Sequence, residues 1–219
     1  MFSQLELMLA FRYLRAKRSE GFISVIAGFS LLGIILGVAT LIIVMSVMNG
    51  FRAELIGRIL GLNGNFGVYH QTGFLPDFDK HSVSFAEIPG IKAVTPQIEG
   101  QGLLVGNGIS RGVVVRGIRW TDLPARKQLW ESLNNKELNQ YDFNGIVLGN
   151  RLAKQLGVSI NDYISLLSPQ MTVTAFGSVP KQKKLKVIEL FDVGMFEYDS
   201  SFAFINLEVA QAQFGHKLN

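Results

Sequence analysis

Side chains able to do chemistry are few in this chain, and none is spaced for it. His70, His81 and His216 are scattered and form no H-E-x-x-H pair. No cysteine is present, which excludes thiolate catalysis, a disulfide scaffold and zinc or iron–sulfur sites built on Cys. There is no G-x-x-x-x-G-K-[ST] run to cradle a nucleotide phosphate and no G-x-S-x-G elbow to present a serine. Acidic pairs occur at Asp77 and Asp79 and among Asp192, Glu197 and Asp199. Paired carboxylates can divide acid and base roles, but nothing beside them supplies a nucleophile or a matched base, so they read as solvated carboxylates at strand edges. Gly102, Gly106, Gly108 and Gly112 read as turns, because a phosphate cradle needs a following helix and the strand-like GVVVRGI follows instead. The residues imply no enzyme, no cofactor and no metal.

One segment is better suited to binding than to reaction. Between a strand ending at Leu167 and another beginning near Lys184 lies SPQMTVTAFGSVPKQKK. Most hairpin loops have about 2–5 residues, and longer ones tend to be functional. Met171 and Phe176 suit an apolar partner, and Lys181, Lys183 and Lys184 follow them. The alternative is a surface loop with solvated lysines. An exposed Met and Phe favour the binding reading.

The elements that must position this segment follow from composition and periodicity. The chain has 219 residues, 48% hydrophobic and only 17% charged, and much of the bias comes from one gap: no ionisable side chain stands between Glu20 and Arg52. About 20 apolar residues span a bilayer core, so residues 21–50 predict a transmembrane helix. The run is too long for the h-region of a signal peptide. Arg12, Arg15, Lys17 and Arg18 precede it, and Arg52 and Arg58 follow. The denser cluster places residues 1–20 in the cytoplasm and everything after about residue 50 outside it. Leu5, Leu9, Phe11 and Leu14 give residues 5–18 the pattern of an amphipathic helix on the inner leaflet, or else a plain basic flank. Gly28, Gly33 and Gly37 let another membrane helix approach closely.

Residues 51–64 continue the helical spacing as a stalk, and residues 65–219 read as an α+β domain. Strands are expected at 66–70, 93–97, 102–105, 112–118, 163–167, 184–193 and 201–206. A short helix should end at 85–88, residues 120–133 are mixed, 145–156 is a strand turning into a helix, and 207–214 is a last helix. The net charge of +4 is too small to argue for nucleic acid.

The string EGFISVIAGFSLLGIILGVATLIIVMSVMNGFR, followed by RILGLNG, resembles the start of the lipoprotein-releasing permeases of the LolC/LolE family, within the wider MacB/FtsX group. GVVVRGI, GIVLGNRLAKQLGVSINDYISL and FDVGMFEYDSSFAFINLEVAQ resemble the periplasmic MacB-like domain of the same subunits. The resemblance implies an inner-membrane ABC transporter that passes lipoproteins to a LolA-like periplasmic chaperone, powered by a separate LolD-like ATPase and working with a second permease subunit. It also places the 168–184 segment where the family has a chaperone-binding hook, which makes Met171, Phe176, Pro180, Lys181 and Lys183 candidate contacts. Such permeases have three further membrane helices after the periplasmic domain, so the chain is expected to be truncated, split or a fragment. The alternatives are a single-pass membrane-anchored interaction or regulatory domain, or an inactive truncated permease. The charge asymmetry carries a direct test of topology. Cysteines introduced at Ser82 and Ser201 should both label with a membrane-impermeant maleimide in intact spheroplasts, and labelling only after lysis would reverse the orientation.

Overall fold

The computed structural model describes residues 4–14, 21–71, 75–137, 141–174 and 177–215, and the chain divides into two compact units, Met1–Gly57 and Arg58–Asn219. The first unit holds α1 (Gln4–Leu14) and most of α2 (Gly21–Asn63). α1 covers part of the expected amphipathic segment; Arg15, Lys17 and Arg18 lie outside the described residues. α2 runs unbroken through the stretches read as membrane helix and stalk, and Val25–Asn63 is long and apolar enough to cross a bilayer. Phe22, Phe29, Ile34 and Leu41 point outward, each more than 60% exposed. A helix that is apolar all round belongs in a core or in lipid, and α2 has no core about its apolar part.

The second unit is a closed barrel of mixed strand direction, ordered β1-β2-β6-β3-β5-β4. Its strands are β1 (Gln97–Gly106), β2 (Ile109–Ile118), β3 (Gly145–Gly149), β4 (Tyr163–Thr174), β5 (Gly177–Phe191) and β6 (Phe202–Asn206). Around it lie α3 (Phe78–Ala86), a 3₁₀ turn (Trp120–Ala125), α4 (Lys127–Ser132), α5 (Asn150–Leu156), α6 (Phe196–Ser201) and α7 (Leu207–Phe214). The architecture is α+β, as expected. β3, reading GIVLG, is buried at every residue and pairs with β5 on one side and β6 on the other, which is why it shows no polar alternation.

Several local expectations need correction. Residues 66–70 form no strand: they follow Gly64, whose φ is +79°, with Phe66 and Tyr69 almost fully exposed. Alternation alone gave them no neighbour to pair with. Of 93–97 only Gln97 enters a strand. Only one of the four glycines read as turns is one. Asn107 and Gly108, at φ 48° and 77°, join β1 to β2 as a tight hairpin. Gly102 and Gly106 stand inside β1, where a Cβ would press on Leu166 and Val158, and Gly112 stands inside β2.

Two apolar clusters hold the unit together. One fills the barrel beneath α5 and α7, with Leu104, Val115, Ile146, Leu148, Leu152, Ile164 and Val187 among its members. The other gathers Ile118, Trp120, Leu123, Leu129, Phe191 and Phe204 with Leu62, from the last turn of α2. Leu62 is wholly buried, so the carbonyls that end α2 need partners inside the protein. Arg126 serves the Leu62 carbonyl. Its Nη1 donates to Leu62 O at 2.6 Å, and Nη2 donates to Gln97 Oε1 at 2.6 Å and Thr95 Oγ1 at 3.2 Å. Burial, with Arg116 nearby, brings the guanidinium down to about 10, so it stays charged at neutral pH beside a helix C-terminus that favours a cation. Replacing Arg126 with Leu leaves the Leu62 carbonyl and the Gln97 amide unpaired and should cost roughly 1–3 kcal/mol. Arg126→Lys should recover only part of this, since one ammonium cannot reach three acceptors in a fork. Urea unfolding of the chain in detergent, followed by tryptophan fluorescence, measures both; a loss below ~0.5 kcal/mol for Arg126→Leu would remove the clamp from this account.

Candidate functional site

The segment read as a long loop is a two-stranded arm. β4 and β5 pair from Tyr163↔Lys186 to Thr174↔Gly177, antiparallel throughout. β4 touches β1 only through Ser165–Leu167, and β5 touches β3 only from Lys186 onward. Beyond Ser168 and Lys181 each strand's sheet pairing, among the described residues, is with the other alone. The length that suggested a loop is mostly ladder, because Thr172, Val173 and Thr174 pair with Val179, Ser178 and Gly177 and β-branched residues favour pleated backbone. Phe176 lies outside the described residues.

The base of the arm is tied to the end of α7. The register skips from Ser168↔Lys181 to Met171↔Pro180, so Pro169 and Gln170 bulge from β4. Gln170 Nε2 donates to Phe214 O at 2.9 Å, and Ser168 Oγ donates to Gln213 O at 3.0 Å. The Lys181 ammonium donates to Ala212 O. Gln213 returns the contact, its Nε2 donating to Lys181 O at 2.8 Å and Leu166 O at 3.3 Å. Three successive carbonyls that α7 cannot pair internally are thus satisfied by the arm.

This fixes where each anticipated residue stands. Met171 is 62% exposed, opposite an exposed Pro180 and one register step from Val179. Lys181 is not a free rim charge, since its ammonium caps α7. Lys183 lies half-buried opposite Leu166, on the face that continues into the core at Leu185. The outward face carries Tyr163, Lys184 and Lys186, with Lys184 Nζ 4.8 Å from the centre of the Tyr163 ring. None of these four lysines makes an ion pair among the described residues. The sequence pointed to neither Lys186 nor Gln213; the period-2 alternation through Tyr163 to Leu167 and Gln182 to Lys186 was the available signal. In the first unit, Gly28, Gly33 and Gly37 meet nothing within 4 Å of a hypothetical Cβ, so their faces are open.

Asp77, Asp79, Asp192 and Glu197 are exposed, as read from the sequence, and Asp199 alone departs from that reading. Asp199 is 1% exposed, and its Oδ1 accepts from Val193 N at 2.9 Å. Asp192 accepts from Asn150 Nδ2 at 3.3 Å and from Gly194 N at 3.1 Å. Burial, reinforced by Asp192, pushes the Asp199 carboxyl up, while the Asn150 hydrogen bond holds Asp192 down. Arg58 Nη1 donates to Val193 O at 3.2 Å and Gly194 O at 3.3 Å, and Asn63 Nδ2 donates to Tyr198 Oη at 2.6 Å. This pair belongs to a latch between the last turns of α2 and the 192–199 segment. No grouping of His, Asp and Glu suited to a metal occurs among the described residues.

Residues 27–219 match the MacB-like periplasmic core domain family. The chain belongs to that family. It is 36% identical over 216 residues to the lipoprotein-releasing system transmembrane protein LolC of Xylella fastidiosa, covering 96% of this chain and 51% of that protein. It is also 36% identical over 222 residues to LolC of Neisseria meningitidis serogroup B, with the same coverage. LolE of Haemophilus influenzae is 28% identical over 209 residues, 93% of this chain and 50% of that one. This MacB-like chain therefore spans about half the length of the curated relatives it matches, and the LolC/LolE resemblance drawn from its sequence is borne out.

The coupled carboxylates give a pH prediction. A carboxyl raised in the folded state contributes stability that is present at low pH and lost as pH rises through its folded value. Asp199→Asn keeps an acceptor for Val193 N–H and removes the buried charge. The variant should therefore melt higher than the parent at pH 7, with the gap closing below about pH 4. Asp192→Asn should do the reverse, losing stability at neutral pH. Thermal melts from pH 3.5 to 8 decide it, and a pH-independent difference for Asp199→Asn would refute the assignment.

Proposed function

We propose that this chain is the N-terminal part of a permease subunit in a lipoprotein-releasing ABC transporter. In this reading α2 crosses the inner membrane, residues after about 60 lie in the periplasm, and the β4–β5 arm docks a LolA-like chaperone that receives lipoprotein. Lipoprotein cargo, a LolD-like ATPase and a second permease subunit would meet other parts of the assembly, with the open glycine face of α2 available to neighbouring membrane helices. The observation that carries the reading is the arm itself. Two strands leave a closed barrel with Met171, Val179 and Pro180 exposed and a lysine face alongside, on a chain related to LolC. Exposed apolar side chains on a braced projection suit capture of a soluble partner, and the lysines suit an acidic one.

Buried anchors dominate residence time, whereas rim charges act mainly on encounter rate and salt dependence. Phe176→Ala or Met171→Ala should each weaken binding of a LolA-like chaperone by about 10-fold or more. Lys184→Ala should slow association about 2–3-fold at low salt, with the effect shrinking as salt rises. Biosensor measurements on the chain in detergent at two salt concentrations separate the two classes. Unchanged binding after deletion of residues 172–179 would rule out the arm as the docking element.

A further inference from the structure

At the opposite end of α7 from the arm, a cleft of about 600 Å³ opens between α3, the 3₁₀ turn and the first turns of α7. Its volume falls within the range of about 300–1,000 Å³ usual for ligand sites. Phe78, Trp120 and Leu207 give it apolar walls. The indole N–H of Trp120 is directed to Asp142 O at 3.3 Å, so that ring offers the cleft no donor. The cleft's cation is already committed: Arg119 is ion-paired with Asp79 and lies 5.3 Å from the centre of the Phe78 ring.

Thr121 Oγ1 is turned to Asp122 Oδ1, at 3.5 Å, which leaves the Asn206 amide nitrogen, Glu208 and Gln211 among the lining groups. The exposed Glu208 carboxylate has no ion pair among the described residues, because Asn206 Oδ1 engages only its backbone N–H, at 3.0 Å. Gln211 is 4% exposed and lines the cleft, and its side-chain amide has no hydrogen-bond partner among the described residues. Its amide reaches the cleft, where it can both donate to and accept from a polar atom arriving from outside. The free chemistry is therefore one carboxylate, the Gln211 amide able both to donate and to accept, the Asn206 amide nitrogen as a donor, and an aromatic wall. Its complement is a cation on an apolar stem with a peptide group beside it.

We propose that this cleft binds a short extended peptide segment through one basic side chain. The Lys or Arg stem lies along Phe78 and Trp120, its charge meets Glu208, and Gln211 pairs with the adjacent peptide group. The inference is independent of the arm, so deleting residues 172–179 should leave it intact.

The test uses the full chain in detergent and a fluorescently labelled, capped pentapeptide with a central lysine between leucines, against the same peptide with norleucine in place of lysine. The lysine peptide should bind at least ~10-fold more tightly. Glu208→Gln should weaken it about 5-fold while leaving the norleucine peptide unaffected, and added salt should narrow the difference between the peptides. Gln211→Leu should weaken both. Because Glu208 is exposed, its variant remains informative if the Gln211 variant folds poorly. Equal affinity for the two peptides, indifference to Glu208→Gln, or no binding up to millimolar peptide would overturn the proposal. So would competition by phosphatidylethanolamine vesicles, but not phosphatidylcholine vesicles, that is lost in Glu208→Gln, which would assign the cleft to a lipid headgroup.

Discussion

A helix that enters a folded domain brings backbone carbonyls that water no longer reaches, and those carbonyls must find donors. In this protein the end of α2 is buried at Leu62, and the donor is the guanidinium of Arg126. The same group holds Gln97 at the start of β1 and Thr95 before it. One fork thus joins the helix end to the first barrel strand. Arg58 and Asn63 add bonds to the 192–199 segment, and the apolar cluster around Phe191 and Phe204 closes over Leu62. Without these donors the helix end would prefer water, and the second cluster would lose one of its largest fully buried side chains.

The arm depends on the same rule applied at another helix end. α7 leaves carbonyls at 212, 213 and 214, and the donors come from Lys181, Ser168 and Gln170. The bulge at Pro169 and Gln170 brings Gln170 to that position. The arm is therefore braced at its root even though it has no sheet neighbours beyond it. A surface that captures a partner loses less conformational entropy when its backbone is already ordered, and these side chains supply that order.

Much of this was legible in the sequence. The uncharged run gave α2, residues 145–156 were placed as a strand turning into a helix, and 207–214 was placed as a helix at its observed limits. What was missed has a common cause. The ladder through 168–174 and 177–181 looked like a loop because its sequence, SPQMTVT and GSVPK, carries no alternating run of large apolar residues to mark a core face. Phe66 to His70 looked like a strand because local alternation carries no information about whether a neighbour exists. Lys181 looked like a surface charge because its acceptor lies 31 residues away in the chain. Asp199 looked solvated because its burial comes from contacts that form only in the folded barrel. Long-range pairing separates these cases, and a single sequence states it only through resemblance.

Two prolines flank the arm's free edges, Pro169 in the bulge and Pro180 opposite Met171. A paired ribbon with no sheet neighbours presents open main-chain groups on both sides, which invites another ribbon to add to it. Proline lacks the N–H that such addition requires and is tolerated at edges for that reason. Each strand of the arm therefore carries an interruption where a second copy would otherwise stack. Apolar side chains thus stand exposed on a ribbon whose free edges are each interrupted against ladder addition.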